Sequence, residues 1–171
     1  LLQSYGEGIR LIFGGVAFVL LLLLLCKAIF FPQVLKEEFS NPIGAGVTAT
    51  FPMALMLFSV YAKPFVPGIA FPLWCVAILL QILLLLYFTK TYVLQIKKKN
   101  VHTVWYIVYV GIVVASLTSP AYKMQALGQG IFYFGFIALL ILLVVVSKRY
   151  LKMPVPEPAK PLMMIYAAPM A

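Results

Sequence analysis

Five stretches of this chain each run for about 20 residues with almost no charge, which is the length a helix needs to cross a bilayer. They lie near 9–31, 43–62, 68–89, 101–119 and 127–147, and a sixth starts at 161 and reaches the last residue, 171. We call them A to F. Of the 171 residues, 64% are hydrophobic and only 10% are charged, so a water-soluble domain of this size could not hide its apolar surface. The stretches are too long and too leucine-rich for barrel strands. The expected fold is all-α: one polytopic transmembrane domain over 1–171, with more chain expected on both sides.

The charges are sparse and lopsided. Thirteen Lys and Arg face four Asp and Glu, for a net charge of +9. In a soluble protein that excess would raise nucleic acid as a partner, but these residues fall in short loops between spans. Ten of them (Lys27, Lys36, Lys90, Lys97, Lys98, Lys99, Lys148, Arg149, Lys152 and Lys160) fall on one side. Arg10, Lys63 and Lys123 fall on the other. The positive-inside rule then puts loops 32–42, 90–100 and 148–160 in the cytoplasm. Lys97 to Lys99 read as topology anchors that touch anionic lipid. No nucleic-acid partner is expected, and the bilayer itself is the main one.

The spans fall into two kinds. Leucine-rich runs near 20–25, 79–86 and 139–146 recur every 59–60 residues, in A, C and E. B, D and F carry more Gly, Ala, Ser, Thr or Pro. Such alternation is the mark of hairpin repeats, with A, C and E facing lipid and B, D and F inside. Segment B is the most telling: NPIGAGVTATFPMALMLFSVYAK has Gly44, Gly46, Thr48, Thr50, Pro52 and Ser59 within one spanning length. A helix that only sits in lipid has no use for hydroxyls and a mid-span proline. One packed inside a bundle, or lining a path through it, does.

Helical spacing groups Thr48, Pro52, Leu55 and Ser59 on one face of B. It groups Tyr109, Ile112, Ser116 and Ser119 on one face of D, with Thr118 adjacent. Pro169 falls within F. The candidates for a path lining are therefore Thr48, Thr50, Pro52, Ser59, Ser116, Thr118, Ser119 and Pro169. The competing reading is that these residues only pack helices, their hydroxyls bonding back to their own backbone. All four carboxylates, Glu7, Glu37, Glu38 and Glu157, lie outside the spans or near their ends. Ion-coupled carriers usually place carboxylates inside, so the expectation is passive flow or coupling residues elsewhere in the chain, through a conduit friendlier to anions than to cations.

The rest of the chemistry is thin. His102 is the single histidine and reads as a polar anchor at the edge of D. One His and no intramembrane acid leave no metal or catalytic constellation, so neither cofactor nor enzymatic activity is expected. Cys26 and Cys75 fall inside spans and read as small buried hydrophobes. Gln81 is a lone amide in a leucine run and reads as an interhelical hydrogen bond. Trp74, Trp105, Tyr106 and Tyr92 suit interfacial belts.

The run EEFSNPIGAGVTATFPMALMLFS resembles the third spanning helix of the tellurite-resistance/dicarboxylate transporter family, relatives of the plant slow anion channels. KKKNVHTVWYIVYVGIVVASLTSPAY is similar to the family's fifth helix, and EPAKPLMMIYAAPMA to the start of its seventh. The resemblance implies ten helices in five hairpins around a central pore, with odd helices inner and kinked. Segments A to F would be helices two to seven, and the assembly a homotrimer in the plasma or inner membrane. The implied cargo is small anions, whether tellurite, four-carbon dicarboxylates or inorganic ions. The family's plugging phenylalanine lies on its ninth helix, outside this sequence, so Phe51 is not given that role. A rival reading is a small structural membrane subunit without transport of its own.

Overall fold

In the computed structural model, residues 2–94, 101–152, 157 and 160–167 are described. All their regular structure is helical. Span A is α1 (Leu2–Phe30), which begins seven residues before Ile9. A short helix, α2 (Pro32–Ser40), follows and opens on a proline at its first turn, where the missing N–H costs nothing. Lys27 near the end of α1 pairs with Glu38 of α2 at 2.6 Å, which ties the connector back to its span.

Span B is two helices, α3 (Pro42–Thr48) and α4 (Thr50–Ala62). Asn41 caps α3, its side chain accepting from the Ile43 N–H at 3.0 Å, so the Asn-Pro pair is a helix start. The offset at Ala49 has its cause three residues on. Pro52 cannot donate to the Thr48 carbonyl and its ring crowds that carbonyl, so the Ala49 N–H tightens onto Gly46 at 3.3 Å instead.

Span C is α5 (Pro67–Phe88), which ends in a wider π turn over Thr89–Val93. Span D is shorter-stepped: α6 (Val104–Tyr109), an irregular turn, α7 (Val113–Thr118), and a 3₁₀ turn over Ser119–Tyr122. Pro120 does not end D at Ser119. It sits instead in the first turn of the 3₁₀ segment, where proline is tolerated, and the chain reverses at Lys123, in the left-handed region at φ 58°. Span E is α8 (Gln125–Lys152). Of F, a turn (Pro161–Met163) and α9 (Met164–Ala167) are described.

Five of these spans are long and apolar enough to cross a membrane among the described residues. Burial separates them as the composition does. Half of D's most apolar window is buried and a third of B's, against 11%, 22% and 17% for A, C and E. This is a polytopic all-α membrane protein with leucine-rich outer helices and irregular inner ones.

Small residues set the spacing between layers. A Cβ at Gly46 of α3 would lie 2.7 Å from Val104 of α6. Gly128 and Gly135 of α8 rest directly against Ser119 and Val113, and Gly14 of α1 against the Tyr61 ring. These contacts hold because lipid gives helices no hydrophobic push toward each other, and close backbone approach supplies dispersion instead. The aromatics expected at the interfaces are part of the same packing. Trp74, Trp105, Tyr106 and Tyr92 are all buried, because each ring fills space between helices. Cys75, expected inside, is exposed on α5, while Cys26 is half-buried.

Gly128→Val should therefore push α8 off the end of D and cost about 1–3 kcal/mol, read as a lower melting point in detergent. Gly130→Ala on the same helix meets nothing within 4 Å and should leave the melting point unchanged or raise it.

Candidate permeation path

Two crevices lie along the seam between B and D, and together we call them the furrow. Its first part, about 460 Å³, lies beside Met53 of α4, Tyr106, Val110 and Gly111 of D, and Ile165 of α9. Its second part, about 540 Å³, lies beside Leu57 and Val60 of B, Pro64 in the turn after it, and Thr118 and Ala121 of D. Leu117 lines both parts. That side chain is 73% exposed and Leu57 is 49% exposed, so the furrow is an open face of the chain. Met53, Leu57 and Val60 share one face of α4 by spacing. No Asp or Glu lines either part.

The floor of the furrow at Gly111 is tight. A Cβ there would collide with the Ile107 carbonyl and with Met53 Sδ, so only glycine lets B and D touch at this level. At the Pro64 end sits a cation. The Lys63 ammonium donates to the Ala121 carbonyl and lies 5.3 Å from the Tyr122 ring centre. Tyr122 is itself fixed, its hydroxyl donating to Ser59 Oγ at 3.0 Å and reaching the Ala70 carbonyl at 3.2 Å. Its ring packs on Trp74 with centroids 5.0 Å apart. The exposed end of Lys63 is thus held by a rigid aromatic cluster that joins B, C and D.

The hydroxyls and prolines singled out in the sequence divide among three places. Thr118 lines the outer part of the furrow. Its Oγ1 accepts from Trp74 Nε1 at 2.7 Å and donates to the Val114 carbonyl at 2.7 Å. Ser59, Ser116 and Ser119 lie away from the furrow. Ser59 is fully buried and donates to the Met56 carbonyl, and Ser119 donates to the Ser116 carbonyl where Gly128 of α8 packs. Thr48, Thr50 and Pro52 line a separate crevice of about 400 Å³ between α1, α2 and α5. Thr48 and Thr50 bond back to the carbonyls of Gly44 and Val47. Pro169 lies outside the described residues.

The furrow residues Met53, Leu57, Gly111 and Leu117 were not singled out in the sequence. Both faces of B and D are apolar enough to hide which one is open, and hydroxyls drew attention to the packed face. Gly111 in mid-span was the available signal.

Where F meets D, the Thr103 hydroxyl donates to the Leu162 carbonyl at 2.9 Å, and the Thr103 N–H donates to the Tyr150 hydroxyl at 3.1 Å. His102, just before the span, is buried, and its Nδ1 finds no partner among the described residues. Burial holds the imidazole below its ordinary value of 6.5, and the Arg149 charge adds to the effect.

A bundle with lipid-facing outer helices and broken inner helices is the build of a membrane channel or transporter. The sequence matches the family of voltage-dependent anion channels, SLAC1, over residues 4–171. The chain belongs to that family. No curated protein matches it.

Because the folded pKa of His102 is lowered, the unfolded chain takes up its proton first as pH falls. The stability contribution is complete above 6.5 and is lost as pH drops through the folded value. Melting in detergent from about pH 7.5 to about pH 5 should show a steeper loss for the native chain than for His102→Gln. Equal slopes would remove His102 from the account.

Proposed function

We propose that the chain forms one wall of a path for small anions, and that the path follows the B–D furrow. The observation that carries this reading is the pair of crevices, flanking Leu117, that follow the two most buried spans from Ile165 to Pro64, with Lys63 at one end and no acid on their walls. Walls without carboxylates put no negative charge in an anion's way, and a fixed cation at a mouth raises the local anion concentration. Thr118 is the one hydroxyl of the candidate set on this path, and the Pro52 break shapes B around it. The cargo is a small anion of the tellurite, dicarboxylate or inorganic type. The remaining wall comes from further helices, and the functional unit is a homotrimer in the plasma or inner membrane. Loops 32–42, 90–100 and 148–160 face the cytoplasm, which places Lys63 outside.

In liposomes carrying the natural full-length protein, Leu117→Trp should cut anion flux about tenfold by filling the junction of the two parts of the furrow. Leu79→Trp, on the lipid face of C, should not change it, since Leu79 is 56% exposed away from the furrow. Equal flux in both variants would sink the reading. Lys63→Gln should lower flux a few-fold at low ionic strength, with the difference shrinking as salt screens the charge. A deficit that does not depend on salt would mean Lys63 acts through packing.

A further inference from the structure

Helix D breaks without a proline, and the main-chain bonds show how. The N–H groups of Val110 and Gly111 both turn to the Tyr106 carbonyl, at 2.8 and 3.2 Å. Those of Val113, Val114 and Ala115 turn to Val110, Gly111 and Ile112. The carbonyls of Ile107, Val108 and Tyr109 therefore receive none of them. In a continuous helix the Ile112 N–H would close onto Val108. Here it does not, and Val108 is answered from another helix. Gln81 of α5 donates its Nε2 to the Val108 carbonyl at 3.1 Å.

Gln81 is an odd residue to find there. It interrupts LLQILLLL on an outer, leucine-rich span, and yet it is fully buried. Its Oε1 has no partner among the described residues. A side chain present only to glue helices would be expected to use both ends of its amide. This one leaves its acceptor unmet while its donor serves a single carbonyl, at the level where D departs from a helix. A carbonyl can accept two bonds, so the Gln81 amide does not exclude the Ile112 N–H. What it does is give the Val108 carbonyl a partner in the broken form, where it would otherwise be left unmet at membrane depth. Val110 and Gly111, at the break, line the furrow.

We infer that Gln81 is a positioning residue for the path. From an outer helix it holds inner helix D in its broken form and keeps the furrow open beside Gly111. When the amide is removed, Ile112 closes onto Val108, α6 and α7 join into one helix, and the bulge at Val110–Gly111 is lost. This rests on the furrow being the path, so its test carries Leu117→Trp as a reference.

The test is anion flux by the full-length protein in liposomes, for Q81M and Q81E beside the native chain. Q81M has similar length and no donor, and its flux should fall about three- to tenfold, the range that single intramembrane hydrogen bonds support. Q81E separates bonding from packing. A protonated carboxyl can donate to Val108 and a carboxylate cannot, so its flux should be near native at about pH 6 and lost at about pH 9, where a buried Glu ionises. The native chain should show no such loss. Where Q81M fails to fold, the Q81E pair decides. Native flux in Q81M, or no pH effect in Q81E beyond that of the native chain, overturns the inference alone if Leu117→Trp is blocked. If Leu117→Trp transports normally, the furrow reading falls and this inference with it.

Discussion

Every main-chain N–H and C=O at the depth of the bilayer has to find its partner inside the protein, because lipid offers none. Much of the architecture follows from that requirement. A, C and E meet it as long helices and can face lipid with leucine. B and D are interrupted, at Ala49 and over residues 110–112, so they are viable only where neighbours cover the loose groups. Their greater burial is thus a condition of their irregularity as much as a sign of their place in the bundle. The hydroxyls of Thr48, Ser59, Thr118 and Ser119 all donate to carbonyls three or four residues back, so they too find their partners inside the protein.

Inner helices with breaks also need exact spacing, and glycine and the aromatic residues divide that work. At Gly46, Gly128 and Gly135 the absence of a Cβ lets backbones meet. At the Lys63 end the spacing is set by rings. Tyr122 reaches B through Ser59 and C through Ala70, while Trp74 reaches D through Thr118. At the other end Tyr87 and Tyr92 of C both donate to the Phe39 carbonyl, which fixes the connector α2 against the bundle. The furrow lies between two such clamps. Most of its walls are apolar side chains, and Thr118 is already bonded to Trp74 and to its own backbone.

The fold class and the outer/inner alternation were legible in the sequence, because both rest on composition averaged over about 20 residues, where single exceptions do not matter. The break in B was legible at Pro52. The break in D was not: no proline marks it, and its cause is a glycine contact with Met53 and a side chain arriving from Gln81, neither of which is local. The same limit applies to the site. Ser and Thr stand out in an apolar helix, but their hydroxyls bond to their own backbone, and those of Ser59 and Thr118 also take bonds from Tyr122 and Trp74, so they mark packed seams. The open face is marked only by what fails to cover Leu57 and Leu117, and that is a property of the bundle.

The most direct test of the furrow as an anion path is protection of engineered cysteines. With Cys26 and Cys75 replaced, single cysteines at Met53, Leu57 and Leu117 would be compared with one at Leu79 on the lipid face. Each would be exposed to a negatively charged, water-soluble thiol reagent in the full-length protein in liposomes, with and without a permeant anion. Reaction at the three furrow positions, slowed by the permeant anion, with Leu79 unreactive, is the expected result. Furrow cysteines that stay unreactive while transport proceeds would place the path elsewhere.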